Sequence, residues 1–159
     1  MASCSNNSSQ QNDATAQDTL TVHSDQKEDT LQNVSGCYMR VLKRDTLALT
    51  LDEKNTTITG KLSFDNFEKD ASSGSVTGVK DKDILKLIYN FQSEGMYSIM
   101  EVYFKITDKG LIHGIGEVAT KGDTTYFVHP EKIAYPADNE LTKISCEQLD
   151  PKFKWANTF

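Results

Sequence analysis

Apolar and polar residues alternate at every second position in short segments spread over residues 36–129. Because successive side chains of a β-strand point to opposite faces, this period of two predicts strands that each bury one face. Eight such segments are present: Gly36 to Leu42, Thr46 to Asp52, Thr56 to Phe64, Gly74 to Val79, Ile84 to Phe91, Tyr97 to Ile106, Leu111 to Val118 and Thr124 to His129. The chain is therefore expected to be all-β.

The breaks between these segments are short and rich in turn-forming residues, as at Asp108-Lys109-Gly110, and only Asn66 to Ser73 is longer. Short connections join antiparallel neighbours, since parallel strands need long crossovers. An antiparallel meander has two unpaired edges, which disappear if the last strand meets the first. The sequence thus predicts one small closed barrel, although a two-sheet β-sandwich fits the same pattern.

Two adjacent long strands define the expected interior of this barrel. The inward residues by parity are Leu85, Leu87, Tyr89, Phe91, Met100, Val102 and Phe104. Mid-strand glycines, such as Gly60, Gly78, Gly114 and Gly116, indicate sharp strand bends. Ligands commonly bind at barrel mouths and their loops. The candidate ligand contacts are therefore Tyr89, Phe91, Met100, Phe104 and Phe67. The alternative is a scaffold filled by its own side chains.

The two ends of the chain differ from its middle. Residues 1–34 contain no Phe, Tyr or Trp and are rich in Ser, Asn and Gln, a composition typical of a disordered tail. The folded domain is then residues 35–159. Near the end, Asn139 to Leu149 fits an extended edge strand better than a short helix, and the apolar Phe153, Trp155 and Phe159 are expected to pack against the barrel.

Charge and motifs exclude several function classes. The formal net charge is -6, and the sequence has no cluster of Lys and Arg residues of the kind that nucleic-acid binding requires. No apolar run approaches the roughly 20 residues of a membrane-spanning helix. Neither a nucleophile elbow nor a phosphate or dinucleotide loop occurs, so no cofactor is expected and an enzymatic role is not indicated.

Two weaker constellations remain as alternatives. Glu101 and Glu117 lie on adjacent predicted strands, where paired carboxylates would suit a hydrolase. His113 and His129 are cross-strand neighbours in one possible register, but zinc needs a third ligand such as Glu117, and nothing fixes one. We expect solvated carboxylates and no metal.

Cys37 and Cys146 lie near the two ends of the domain. A closed barrel brings its first and last elements together, which suits a disulfide between them; two independent buried thiols are the alternative.

The first residues, Met1-Ala2-Ser3-Cys4, are followed by a Ser/Asn/Gln tract and resemble the end of a bacterial lipoprotein signal. The leucine and apolar stretch of a full signal are absent, so a start methionine is expected to replace a removed signal. The resemblance implies that Cys4 carries the lipid, that the tail is a tether to a membrane, and that the domain lies in an oxidising envelope compartment.

The domain itself is similar to small envelope lipoproteins with a lipocalin-like or copper-response-lipoprotein-like barrel. Gly36-Cys37-Tyr38, Thr59-Gly60-Lys61-Leu62 and Phe91-Gln92-Ser93-Glu94-Gly95 carry this resemblance. The Cys-x-x-Cys of the copper-response proteins is missing, so no metal or redox role follows. The resemblance implies a non-enzymatic protein in the periplasm or at the cell surface that binds a small apolar ligand or an envelope partner. No feature of the sequence indicates an oligomeric state.

Overall fold

The structure, a computed structural model, describes residues 32–67 and 71–153. Within them the chain forms ten strands, in the order β1 (Gly36–Leu42), β2 (Asp45–Lys54), β3 (Thr57–Asp65), β4 (Ser72–Asp81), β5 (Ile84–Ser93), β6 (Met96–Ile106), β7 (Gly110–His113), β8 (Val118–Lys121), β9 (Thr124–Phe127) and β10 (Glu140–Ile144). Four 3-10 helices follow β9: Pro130–Lys132, Ala137–Asn139, Cys146–Gln148 and Pro151–Phe153. The all-β prediction is confirmed.

Eight of these strands, β1 to β7 and β10, form a closed antiparallel ring. Traced once around the ring through paired residues, a path that leaves β6 at Tyr97 reaches Gly110 of β7 and, through the hydrogen bond from the Thr107 amide to the Gly110 carbonyl oxygen, arrives ten residues later at Thr107, one residue past the end of β6. Such a register shift tilts the strands, and an eight-stranded barrel then has an interior just wide enough for side chains. The predicted barrel is confirmed over the sandwich.

The strand that closes the ring differs from the prediction. Thr124 to His129 was expected to meet the first strand, and this was wrong: β10 pairs with β1 on one side and β7 on the other. The β8–β9 hairpin lies outside the ring, where β9 pairs in parallel with β6. The two strands bury their apolar residues in different places: Leu141 of β10 is fully buried in the core inside the ring, whereas Phe127, the buried residue of β9, does not belong to that core.

The predicted seventh strand is also shorter than expected. Leu111 to Val118 divides into β7 and β8, with an irregular stretch between them that bridges Ile115 to Ala134. At Gly114 an added Cβ would lie 2.6 Å from the Ile133 side chain, so the chain bends where only glycine fits.

Two mid-strand glycines allow the barrel to bend as predicted. A Cβ on Gly60 would lie 1.9 Å from the Thr50 carbonyl oxygen, and one on Gly78 would lie 2.0 Å from the Lys86 carbonyl oxygen. No side chain fits at such distances, so these strands curl onto their neighbours only because both positions are glycine.

The barrel interior is a continuous apolar core built from the inward faces of the ring. The predicted set is confirmed, since Leu85, Leu87, Tyr89, Val102 and Phe104 are buried and Phe91 and Met100 pack against them. Other core members extend the cluster around the ring: Tyr38, Leu47, Leu49, Leu51, Ile58, Leu62, Val76, Leu111 and Leu141. The middle of the barrel is therefore occupied by the protein's own side chains.

The C-terminal segment covers one side of the outer wall. Leu149 and Phe153 are buried against Ala48 and Cys37 on the outward faces of β2 and β1. The predicted Cys37–Cys146 disulfide is present, with the two Cα atoms 5.2 Å apart, and it fixes the start of this segment to β1. Phe153 packs on the barrel as expected, whereas Trp155 and Phe159 lie outside the described residues.

One end of the barrel is sealed by Val34 and a charged pair, and we call it the sealed end. Val34 is 1% exposed, and its carbonyl oxygen accepts a 2.7 Å hydrogen bond from the Tyr38 hydroxyl. The Glu53 carboxylate accepts from the Val34 amide at 2.9 Å and pairs with Lys80 at 2.6 Å. The barrel thus includes Val34, which the sequence pattern assigns to the tail.

The Glu53 carboxyl remains ionised at this end because its hydrogen bonds and its charged partner lower its pKa more than burial raises it. Desolvation alone would raise the pKa of the carboxyl, but the hydrogen bonds from Lys80 and Val34 and the Lys80 charge lower it overall. The side chains of Glu53 and Lys80 are only 10% and 9% exposed, so each charge is poorly solvated and depends on the other for compensation.

We expect Glu53→Gln to lower the free energy of unfolding by about 3 kcal/mol, because it leaves the nearly buried Lys80 ammonium without its counter-charge. Urea unfolding followed by circular dichroism measures the change. The matched control is Asp52→Asn on the same strand, whose carboxylate pairs with the exposed Lys54 and whose loss should cost less than about 1 kcal/mol. Equal losses in the two variants would contradict a sealed end held by this pair.

Candidate functional site

The end of the barrel opposite the sealed end has inward side chains that are only half-buried. Five of them, Arg40, Phe64, Phe91, Met100 and His113, line what we call the mouth. They follow from the strand pairing, since Arg40 pairs with Leu47, which pairs with Phe64, and all three share the inward parity. The mouth is therefore the outermost layer of the interior at this end.

A row of ring contacts crosses the mouth. Phe91 stacks on Tyr89 with ring centroids 4.6 Å apart, and Tyr89 lies 5.9 Å from Phe64. Phe64 in turn lies 5.8 Å from the imidazole of His113, which also contacts Phe104 at 5.2 Å. This apolar wall continues into the core below.

Arg40 is the cation of the mouth, and a neighbouring 3-10 helix holds one end of its guanidinium. Its Nη1 donates to Asn139 Oδ1 at 2.6 Å and to the Asp138 carbonyl oxygen at 3.5 Å. The Asn139 amide group also donates to the His113 carbonyl oxygen at 3.4 Å, so one side chain links both residues. Within the part of the chain that the structure describes, no carboxylate forms an ion pair with Arg40.

The remaining donors of Arg40 are accessible. Its Nε and Nη2 form no hydrogen bond with any described residue, and no buried side-chain nitrogen in the described ranges lacks a partner. Both atoms must therefore reach solvent. The same reasoning applies to the two ring nitrogens of His113, which have no hydrogen-bond partner among the described residues.

His113 is neutral at physiological pH. Burial between aromatic rings lowers its pKa from 6.5 to about 4, and the Arg40 charge acts in the same direction. A neutral imidazole offers one donor and one acceptor, so His113 supplies both kinds of hydrogen bond to the mouth.

Exposed apolar side chains surround the mouth. They come from three connections at this end of the barrel: Leu42 before the β1–β2 turn is 52% exposed, Phe67 after β3 is 51% exposed, and Met96 after the β5–β6 turn is 70% exposed. The Arg44 guanidinium carbon lies 3.1 Å from the centroid of the Phe67 ring, which keeps part of that ring covered. We call Leu42, Phe67 and Met96 the rim.

The five candidate contacts chosen from the sequence fall at different depths. Phe91 and Met100 are in the mouth and Phe67 is on its rim. Tyr89 and Phe104 are fully buried beneath it, where the Tyr89 hydroxyl lies 3.2 Å from Ser72 Oγ. The structure thus brings the candidates to one end of the barrel but leaves only three of them accessible.

Arg40 was not among the residues predicted from the sequence, although the strand pairing brings it into the mouth. The signal is parity: Arg40 shares the inward face of its strand with Tyr38, so a charged residue stands where an apolar one is expected. The link through Asn139 was not detectable, because it depends on where β10 enters the ring.

Apart from His113, the carboxylates and histidines considered as alternative sites lie outside the mouth. The Glu101 carboxylate is partly buried rather than solvated, and it accepts a 2.9 Å hydrogen bond from the Phe127 amide, which fastens the β8–β9 hairpin to β6. Glu117 is exposed. His113 and His129 do not face each other, since His129 is at the surface beside Glu131 at 3.3 Å. Among the described residues, no group of three or more metal-ligating side chains is present.

Two sequence-based predictions fall outside the described residues, namely lipidation at Cys4 and most of the tail, residues 1–31. In the ranges that the structure covers, no helix has the length and apolar character to span a membrane.

Comparison with known proteins gives no relative: no protein-family model, curated protein or solved structure matches this chain.

The low pKa of His113 predicts a specific loss of stability in acid. Because the folded pKa lies below the unfolded value of 6.5, the neutral ring contributes its full stabilisation above pH 6.5, and that contribution is lost as the pH falls toward about 4. We expect His113→Gln to remove a pH-dependent change of about 3 kcal/mol over that window.

Urea unfolding at a series of pH values measures this change for the protein and the variant. His129→Gln is the matched control, because it removes a histidine that lies beside Glu131, with 43% of its side chain exposed, and not in the mouth. A His113→Gln protein with the same pH slope as the parent would contradict a buried neutral imidazole.

Proposed function

We propose that this protein is a non-enzymatic binding module that takes a small apolar ligand at the mouth of its barrel. The observation that carries the proposal is the contrast between the two ends of one interior. Val34 and the Glu53–Lys80 pair seal one end, whereas Phe64, Phe91 and Met100 are left half-exposed at the other.

The packing of the middle limits how deep such a ligand reaches. Leu49, Leu62, Leu87 and Phe104 are fully buried and leave the ring no polar channel along its axis. A ligand therefore contacts the mouth and the rim rather than replacing the core. This combines a binding function with the filled scaffold that the sequence also allowed.

Exposed apolar side chains around the mouth also favour the binding of an apolar ligand there. Leu42, Phe67 and Met96 are large side chains that gain free energy when covered, and they surround inward residues that have the same property. A ligand or a partner that covers the mouth removes both sets from water together.

The proposed location is the bacterial envelope, with the barrel anchored to a membrane through a lipid on Cys4. The Cys37–Cys146 disulfide supports this, since disulfides persist in oxidising compartments and are rare where thiols are kept reduced. The likeness to lipocalin-like envelope lipoproteins belongs to this proposal, and the eight-stranded barrel is consistent with it.

Binding of the neutral fluorescent probe N-phenylnaphthylamine tests the function. We expect the probe to bind to the protein, and Phe91→Ala to weaken this binding roughly tenfold through loss of ring contact. Because Phe91 is half-exposed, the same change should cost only about 2 kcal/mol of stability, against about 3 to 5 kcal/mol for the buried Phe104→Ala.

The control variant is Ile88→Ala on the same strand, where the side chain points outward and is 38% exposed. Its probe affinity should equal that of the parent. Absence of probe binding, or the same affinity in Phe91→Ala as in the parent, would refute binding at the mouth.

Fractionation of cells that express the protein from its own gene tests the anchor. We expect the protein in the membrane fraction and the Cys4→Ser variant in the soluble fraction, because the lipid requires the cysteine sulfur. Ser5→Ala is the control and should stay with the membrane. A Cys4→Ser protein that still sediments with membranes would contradict lipidation at this residue.

A further inference from the structure

We propose that the ligand of the mouth is an amphiphile with a single anionic head group, a carboxylate, which Arg40 binds while the apolar chain lies against Phe64, Phe91 and Met100. This inference rests on the proposed function and specifies the class of ligand that it takes.

The Arg40 charge has no counter-charge among its hydrogen-bond partners. A half-buried guanidinium is poorly solvated, and proteins normally compensate such a charge with a carboxylate. Here both described acceptors are uncharged atoms on Nη1, namely Asn139 Oδ1 and the Asp138 carbonyl oxygen. A bound carboxylate would supply the missing counter-charge.

The free donors of Arg40 have a restrained orientation. Nη1 donates to Asn139 Oδ1 and to the Asp138 carbonyl oxygen, which restrains the guanidinium before any ligand arrives. Its Nε and Nη2 reach solvent and form the adjacent pair of N–H groups that matches the two oxygens of a carboxylate.

Apolar surface is continuous beside this charge. The Asn139 side chain hydrogen-bonds to both Arg40 and the His113 backbone, the His113 ring lies 5.8 Å from Phe64, and Phe64 leads through Tyr89 to Phe91. A head group at Arg40 therefore leaves its chain on the aromatic row and directed toward the rim. Met100 pairs with Tyr89 in the adjacent strand and widens this row.

The charges at the mouth favour a ligand with a single negative charge. The mouth contains one free cation among the described residues, and the neutral His113 adds a hydrogen-bonding group without adding charge. The protein as a whole carries a formal net charge of -6, which opposes binding of a multiply charged anion. One negative charge fits both conditions.

Calorimetric titration with decanoate and decanol at neutral pH tests the inference, since these probes share a chain and differ in charge. We expect decanoate to bind at least roughly tenfold more tightly than decanol, as charge-assisted hydrogen bonds to Arg40 require. We expect Arg40→Met to abolish this difference while leaving decanol affinity nearly unchanged.

Arg44→Met is the matched control, because Arg44 is the same residue type at the same end of the barrel but stacks on Phe67 outside the mouth. It should keep the preference for decanoate. In case Arg40→Met does not fold, the pKa of carbon-13-labelled decanoate bound to the unaltered protein is a second measurement, and it should lie below the value for free decanoate.

Each outcome discriminates. Equal affinities for decanoate and decanol, or a bound carboxylate with an unshifted or raised pKa, would overturn the role of Arg40 but leave apolar binding intact. Failure of both probes to bind would overturn the proposed function itself. A preference for decanoate that survives Arg40→Met and disappears in Arg44→Met would place the anion site on the rim and contradict the inference.

Discussion

Closure of the ring by β10 is the constraint on which the other features depend. This five-residue strand pairs with β1 through Cys37, Tyr38 and Met39 and with β7 through Gly110, Leu111 and Ile112. Without it, β1 and β7 would both present unpaired edges, and the interior would open to solvent along its length. The Cys37–Cys146 bond lies two residues beyond the end of β10 and ties the same closure covalently.

The closed ring also explains why one end of the barrel is sealed and the other forms the mouth. An eight-stranded barrel with this register shift has room for one packed core, which the inward residues fill. The chain segment before β1 covers one end and brings Val34 over the Glu53–Lys80 pair. At the other end β7 stops at His113, and the chain leaves the ring before returning through Asn139. Asn139 hydrogen-bonds to both Arg40 and His113 at this departure, which gives the mouth its polar groups.

Strand parity explains which parts were predictable from the sequence. The long hairpins β2 to β6 alternate clearly, so their existence and order were predicted, as were the buried faces of β5 and β6 and the disulfide between the ends of the domain. The choice of closing strand was wrong because β9 and β10 are both short, and selection between them depends on long-range burial of Leu141.

The polar part of the candidate site was not predictable for a related reason. Arg40 becomes significant only when Asn139 is beside it, and the two residues are 99 positions apart in the chain. Glu101 likewise looked solvated until the hairpin packed on β6 and brought the Phe127 amide to its carboxylate. The local sequence pattern determines which face of a strand is buried and where turns occur. Hydrogen bonds between residues far apart in the chain follow from the closed topology.

The central claim is that one end of this barrel binds ligand while the other is sealed, and heteronuclear NMR with the neutral probe N-phenylnaphthylamine tests it most directly. We expect amide shift changes that cluster at Phe64, Phe91, Met100 and His113 and that are absent at Val34, Glu53 and Lys80. Changes centred on the sealed end or on the outer wall, or no changes at all at saturating probe, would contradict it.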